Sequence, residues 1–113
     1  MHEGAITENL VSLVLEQARA ADARSVTRVV AVVGRLSGVV PEAMAFWFRE
    51  LTRETPAEGA VLDVREIPGR ARCLACGELY EVDDAPWPCP ACGAGGPEIV
   101  EGRELFLESL EVD

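Results

Sequence analysis

The sequence predicts an α+β fold: a small three-stranded sheet flanked by two helices, with a four-cysteine ribbon inserted between two of its strands. Three observations carry this expectation. The first half of the chain holds two helical stripes separated by a β-branched run. All four cysteines fall in two C-x-x-C-G repeats, Cys73-Leu74-Ala75-Cys76-Gly77 and Cys89-Pro90-Ala91-Cys92-Gly93. The last strand-like segment, Glu104 to Val112, comes only after those repeats.

The elements follow in order. From Ile6, apolar residues recur at Leu10, Leu13, Val14, Ala18 and Ala21, the spacing of one helix face, and Val11 and Leu15 widen it. Asp22 to Ser25 is a polar break. Val26 to Val33 is β-branched and nearly continuous, which suits a strand covered on both sides. Gly34 and Gly38 punctuate a loop. Pro41 then stands where a helix favours proline, at its first position, with Glu42 in the first turn. Met44, Trp47, Phe48 and Leu51 continue that helix at i, i+3, i+4 and i+7, so the stripe reads as core. After Thr55-Pro56, Ala60 to Ile67 forms a second strand with Ala60, Leu62 and Val64 on one face. Pro68-Gly69 closes it, Gly95-Gly96-Pro97 marks the way out of the ribbon, and Glu104 to Val112 returns as the third strand. The expected division is therefore a discontinuous α/β domain, 1–70 and 103–113, around a ribbon domain, 71–102.

Two residues between cysteines let one tight turn aim both sulfurs at a single point. The glycine after each pair adopts a positive φ without steric cost, so the turn closes. Two such knuckles offer four sulfurs in the tetrahedral set of a structural zinc site, and twelve residues between Cys76 and Cys89 allow the chain to fold back. Iron held as in rubredoxin is the closest rival, because C-P-x-C-G knuckles suit both metals. A disulfide framework needs an oxidising compartment, and a thioredoxin-like pair needs one C-x-x-C only. A zinc ion bound by four thiolates leaves no position open for substrate, so the expected role is structural: it stabilises a ribbon too small to build its own core.

Composition narrows the partners. The 113 residues carry 20 acidic side chains against 10 arginines and no lysine, a formal charge of −10. From Cys73 to Gly102 there is no basic residue, while Glu78, Glu81, Asp83, Asp84, Glu98 and Glu101 are acidic. Phosphate contact needs Lys or Arg on the binding face, so this ribbon repels a nucleic-acid backbone, and neither DNA nor RNA is expected as a partner. No apolar run approaches the length that spans a membrane. Reduced cysteines, with no basic, apolar leader at the start, give a cytoplasmic expectation.

The start of the chain carries a second signal. Met1-His2-Glu3 contains the only histidine. A lone histidine is ordinarily uninformative, but this one adjoins the α-amine. Terminal nitrogen, a deprotonated amide nitrogen and imidazole can then meet one ion, a nitrogen-rich planar set suited to Ni(II) or Cu(II). Glu3 could add a carboxylate or another amide nitrogen. His2 is too large for ordinary methionine removal, so the Met1 amine is retained in this reading.

Taken together, Met1-His2-Glu3, the Gly34-Arg35-Leu36-Ser37-Gly38-Val39-Val40-Pro41-Glu42 segment, Ala57-Glu58-Gly59-Ala60, the paired knuckles and Gly102-Arg103-Glu104-Leu105 resemble the HypA/HybF family over essentially the whole chain. The resemblance implies a non-enzymatic nickel metallochaperone for maturation of NiFe hydrogenase, and in some bacteria of urease. It implies nickel at His2 with the Met1 amine and the backbone around Glu3, and structural zinc on Cys73, Cys76, Cys89 and Cys92. It also implies a HypB-type GTPase and the hydrogenase large subunit precursor as partners. Gly4-Ala5 departs from the larger residues usual there, and the glycine is expected to loosen the segment or shift the helix start. The alternative is an acidic zinc-ribbon adaptor in which His2 is incidental; a thiol redox protein using one C-x-x-C is the third reading.

Overall fold

The computed structural model describes residues 2–113, with side chains described from Glu3 onward. Its centre is strand β1, Val26–Gly34. The β-branched run stiffens χ1 and favours extended backbone, so this segment is the natural middle of a sheet. It pairs in parallel with β2, Val61–Ile67, in the register Val29 to Leu62 and Ala31 to Val64. A parallel pair requires a crossover, and helix α2, Pro41–Leu51, supplies it. On its other side β1 runs antiparallel to the last strand, Leu105–Val112, with Val29 opposite Leu110 and a bulge between Val30 and Ala31.

Helix α1, His2–Ala20, and α2 pack together on one face of this sheet. Val11, Val14 and Ala18 of α1 meet Val26 and Val29 of β1 and Phe48 of α2, and Met44 joins Val33 and Val39 in an adjoining cluster. The buried line of α1 is thus Thr7, Val11, Val14 and Ala18, turned from the stripe expected from the sequence. Leu13 is 38% exposed and Ala21 is exposed, while Thr7 is fully buried. Thr7 is tolerated there because its hydroxyl donates to the Glu3 carbonyl at 2.6 Å. Gly4 lies inside α1, in its first turn. A Cβ placed on it would lie 3.3 Å from Cε2 of Trp47, so the missing side chain lets the indole approach α1.

Among the described residues no helix lies over the opposite face of β1, which corrects the expectation of a strand covered on both sides. Arg28 pairs with Asp63, and Arg65 of β2 reaches across β1 to Glu108 at 2.7 Å. Val32 lies on that face and is nonetheless buried. The aliphatic part of a long arginine covers such a site while its charge stays in water.

A second three-stranded sheet lies in sequence between β2 and the last strand. It consists of β3, Gly69–Arg72, flanked by β4, Leu79–Val82, and β5, Glu98–Glu101, both antiparallel to β3. Numbering in chain order makes Leu105–Val112 strand β6. The chain therefore does not leave the ribbon at Gly95-Gly96-Pro97; it first makes β5 and turns at Gly102. The segment between Gly34 and Gly38, expected as loop, contains a 3-10 turn, Arg35–Ser37.

The two sheets meet at three glycines. A Cβ on Gly34 would fall 2.1 Å from the carbonyl oxygen of Gly102, and one on Gly102 would fall 2.7 Å from the Gly69 Cα. Gly102 also has φ +119°, a conformation that side chains resist. Leu36 packs over Gly69 and Gly102, and its N–H donates to the Gly102 carbonyl at 2.6 Å. Arg35 reaches both Glu66 on β2 and Asp83 beyond β4, at 3.7 Å each.

Candidate metal centre

Each cysteine pair is built by the same local rule. The Cys73 N–H donates to the Glu78 carbonyl (2.8 Å) and the Gly77 N–H to the Cys73 carbonyl (2.9 Å). In the second turn the Cys89 N–H donates to Ala94 (2.9 Å) and the Gly93 N–H to Cys89 (2.8 Å). Gly77 and Gly93 close the turns at φ +82° and +80°. In both turns the amide two residues on, Ala75 or Ala91, donates to the first sulfur at 3.4 Å. These N–H groups stabilise thiolate charge.

The long loop between the knuckles is held by aromatic groups that the sequence reading did not single out. The Tyr80 hydroxyl donates to the Trp87 carbonyl at 2.8 Å, and the Trp87 indole N–H donates to the Asp83 carbonyl at 3.3 Å. The chain so folded brings Cys89 back to face the first knuckle. All four sulfurs lie within 4.8 Å of one another, with Cys73 Sγ 3.5 Å from Cys92 Sγ and Cys76 Sγ 3.7 Å from Cys89 Sγ. A disulfide holds its sulfurs at about 2.05 Å, so these are not disulfides. Four thiolates about 2.3 Å from one tetrahedral ion stand about 3.8 Å apart, close to what is seen. Cys73 and Cys89 are buried and Cys76 and Cys92 exposed, so the cluster is set half into the ribbon.

The electrostatics also call for a cation. The Cys76 and Ala75 amides hold Cys73 down at about 6 against the opposing effect of burial. The Glu78 amide pulls Cys76 the same way, yet the neighbouring Cys89 and Cys73 sulfurs and burial push it up to about 12. Cys92 is raised as well: the Ala94 amide lowers it, but the Cys73 sulfur and burial prevail. Four thiols this close cannot all ionise on their own, and a bound divalent ion removes that conflict. These residues can hold a metal, and no position would remain for a substrate.

The expected nickel residues stand at the other end of the chain. Met1 and the His2 side chain lie outside the described residues. The backbone of His2 opens α1, so the N–H groups of His2, Glu3 and Gly4 have no acceptor within the helix. Glu3 sits in that first turn, where its Oε2 accepts the Val40 N–H at 3.3 Å. Sequence reasoning missed the Val40 contact. One signal was present: α2 begins with Val40-Pro41, and a valine cannot cap a helix with its own side chain.

A family model described as hydrogenase/urease nickel incorporation, metallochaperone, hypA, matches residues 1–112. Curated relatives named hydrogenase maturation factor HypA include those of Geobacter sulfurreducens, 44% identical, and Geobacter metallireducens, 43% identical; each match covers all of both chains. Among solved structures, the solution structure of a HypA protein matches with a TM-score of 0.71 at 25% identity, over 99% of this chain and 96% of that one. The nickel metallochaperone HypA of Helicobacter pylori matches in fold, with a TM-score of 0.67 at 24% identity over 97% and 96%.

Proposed function

This chain belongs to the HypA family of nickel metallochaperones, and we propose that it carries Ni(II) at its N-terminus and hands it to a NiFe hydrogenase under maturation. The family's described role is nickel incorporation and hydrogenase maturation, which is not enzymatic. The carrying observation is the family match over residues 1–112, which includes the only histidine at position 2. In this reading the ion is bound by the His2 imidazole, the Met1 amine and residue 3. The helix start supports it, because metal replacing an amide proton at His2 or Glu3 breaks no helical hydrogen bond. Cys73, Cys76, Cys89 and Cys92 hold structural zinc, favoured over iron here because a d¹⁰ ion in a closed sulfur shell does no redox work in a carrier.

Nitrogen ligands prefer copper to nickel, so correct delivery has to come from protein–protein handover. A HypB-type GTPase and the hydrogenase large subunit precursor are the proposed partners, with urease as a further acceptor, all in the cytoplasm. No helix among the described residues is long and apolar enough to cross a membrane.

The test is direct. His2→Ala, or a short extension before Met1, should abolish Ni(II) binding while zinc content and far-UV circular dichroism stay as they were. Nickel bound with undiminished affinity by both variants would favour the adaptor reading, in which His2 is incidental.

A further inference from the structure

We propose that the outer edge of β6, together with the apolar groove between that strand and α1, docks an extended segment of another protein whose residues alternate between apolar and basic. This docking does not depend on the nickel reading. Strand β6 ends the β2-β1-β6 sheet, and its second edge pairs with no strand among the described residues. Such an edge offers unpaired backbone N–H and C=O groups to a chain that lies beside it. Leu105 and Leu107 oppose Val33 and Ala31 of β1, and with Ile6, Leu10 and Leu13 of α1 they line a groove of about 270 Å³. An apolar cavity of about 150 Å³ already admits benzene, so this groove has room for side chains. Leu13 and Leu105 remain exposed there. Because side chains alternate across a strand, one added beside β6 sends every second residue into the groove.

Charge selects the occupant. From Glu104 to Asp113 the chain holds four acidic residues and no basic one. On the open face of the sheet, away from the helices, Glu108 is held by Arg65. Glu111 forms no ion pair among the described residues, while Arg28, opposite it on β1, turns to Asp63. A second copy of this strand fits badly. Set antiparallel with Leu107 facing Leu110 of its twin, β6 brings Glu104 against Asp113 at both ends. A shift of one residue sets Glu111 against Leu107, or Glu108 against itself. Residues directly opposite share a face, so like charges there repel, and a carboxylate opposite leucine gains no partner. A strand with lysine or arginine at its open-face positions meets Glu108 and Glu111 instead, and its apolar positions meet the groove.

The experiment titrates the full, zinc-loaded chain with three end-capped synthetic heptapeptides. One alternates valine and lysine, one is the same peptide N-methylated at two adjacent inner residues, and one alternates valine and glutamate. Calorimetry reads affinity, and amide hydrogen exchange reads the place of binding. The valine–lysine peptide should slow exchange at the β6 amides that do not bond to β1. The N-methylated peptide has lost backbone donors, and it and the glutamate peptide should each bind at least about 10-fold more weakly. Leu13→Ala should weaken the valine–lysine peptide about 5- to 10-fold with circular dichroism unchanged. Glu111→Lys, which alters a surface side chain, should weaken it in the same direction. Undiminished binding of the N-methylated peptide, or affinity that Leu13→Ala leaves untouched, would reduce the contact to bare charge attraction and overturn the proposal. So would unprotected β6 amides at millimolar valine–lysine peptide. Protection of the same amides in concentrated protein without peptide, with a dimer in sedimentation, would make a second copy the occupant and overturn it too.

Discussion

The two sheets are of equal strand number and are held together by different physics. The β2-β1-β6 sheet lies under two helices, and Val14, Val29, Val33, Met44 and Phe48 are all but removed from water. Each such side chain contributes about 1.5–3 kcal/mol by burial. In the β4-β3-β5 sheet the buried side chains are Ala71, Val82, and the cysteines Cys73 and Cys89 themselves. Two small apolar groups cannot offset the ordering of some thirty residues, each of which costs about 1–2 kcal/mol in backbone entropy alone. Where one sheet has a core, the other has four converging sulfurs. Metal binding and hydrophobic burial are thus alternative ways of closing a small sheet, and the four sulfurs equip the second sheet for the first of them.

The comparison breaks most visibly at the sulfurs. Cys73→Ala, Cys76→Ala, Cys89→Ala or Cys92→Ala should each unfold the second sheet and release its metal, because structural zinc is worth about 10–16 kcal/mol to a small domain. Helical circular dichroism, which arises from α1 and α2, should persist. If all four variants keep stoichiometric zinc and a native spectrum, the cluster is not the metal site. Phe48→Ala is the mirror experiment. It should lower stability by about 3–5 kcal/mol in urea titrations and leave zinc content intact.

Gly34→Ala tests the seam between the two regions. Its Cβ would meet backbone and not a side chain that can turn aside, so about 1–3 kcal/mol should be lost. Because the clash is with Gly102, the loss should appear both in helix melting and in the ease with which a chelator strips zinc. The least effect on stability belongs to nickel. Its affinity should fall as pH drops through the ordinary imidazole range, about 6.5, because a proton on the proposed His2 ligand would compete with the ion. Displaced amine and amide protons should make the fall steeper than one proton would. Competitive titrations between about pH 7.5 and 6 read it, and a flat affinity would remove imidazole from the ligand set.

Much of this was legible in the sequence because it was local. The C-x-x-C-G turns, the Val-rich β1, and Pro41 at the first position of α2 each declare themselves within a few residues. What escaped depends on contacts between distant segments. The buried face of α1 is centred on Val11 and Val14 and includes Thr7, which reads as polar until its hydroxyl is satisfied by Glu3. Leu13 fits the helical period equally well and faces out. Strands β3 and β5 are four residues each, too short for alternation to rise above noise. Gly34, Gly69 and Gly102 read as ordinary turn residues, and only the packing reveals that three backbones meet there. At the N-terminus, residue types named Met1, His2 and Glu3 together as candidates, but nothing in their spacing pointed to Val40.

The glycine seam has a consequence for chain topology. Strand β6 can join β1 only after the 37 residues from Pro68 to Glu104 have been traversed, and closing so long a loop is entropically unfavourable. Gly69 and Gly102, the two ends of the second sheet, stand in contact, so a metal-loaded ribbon presents its ends already together. The span that remains open is then only a few residues. On loop-closure arithmetic that shortening is worth about 2 kcal/mol to the β2-β1-β6 sheet.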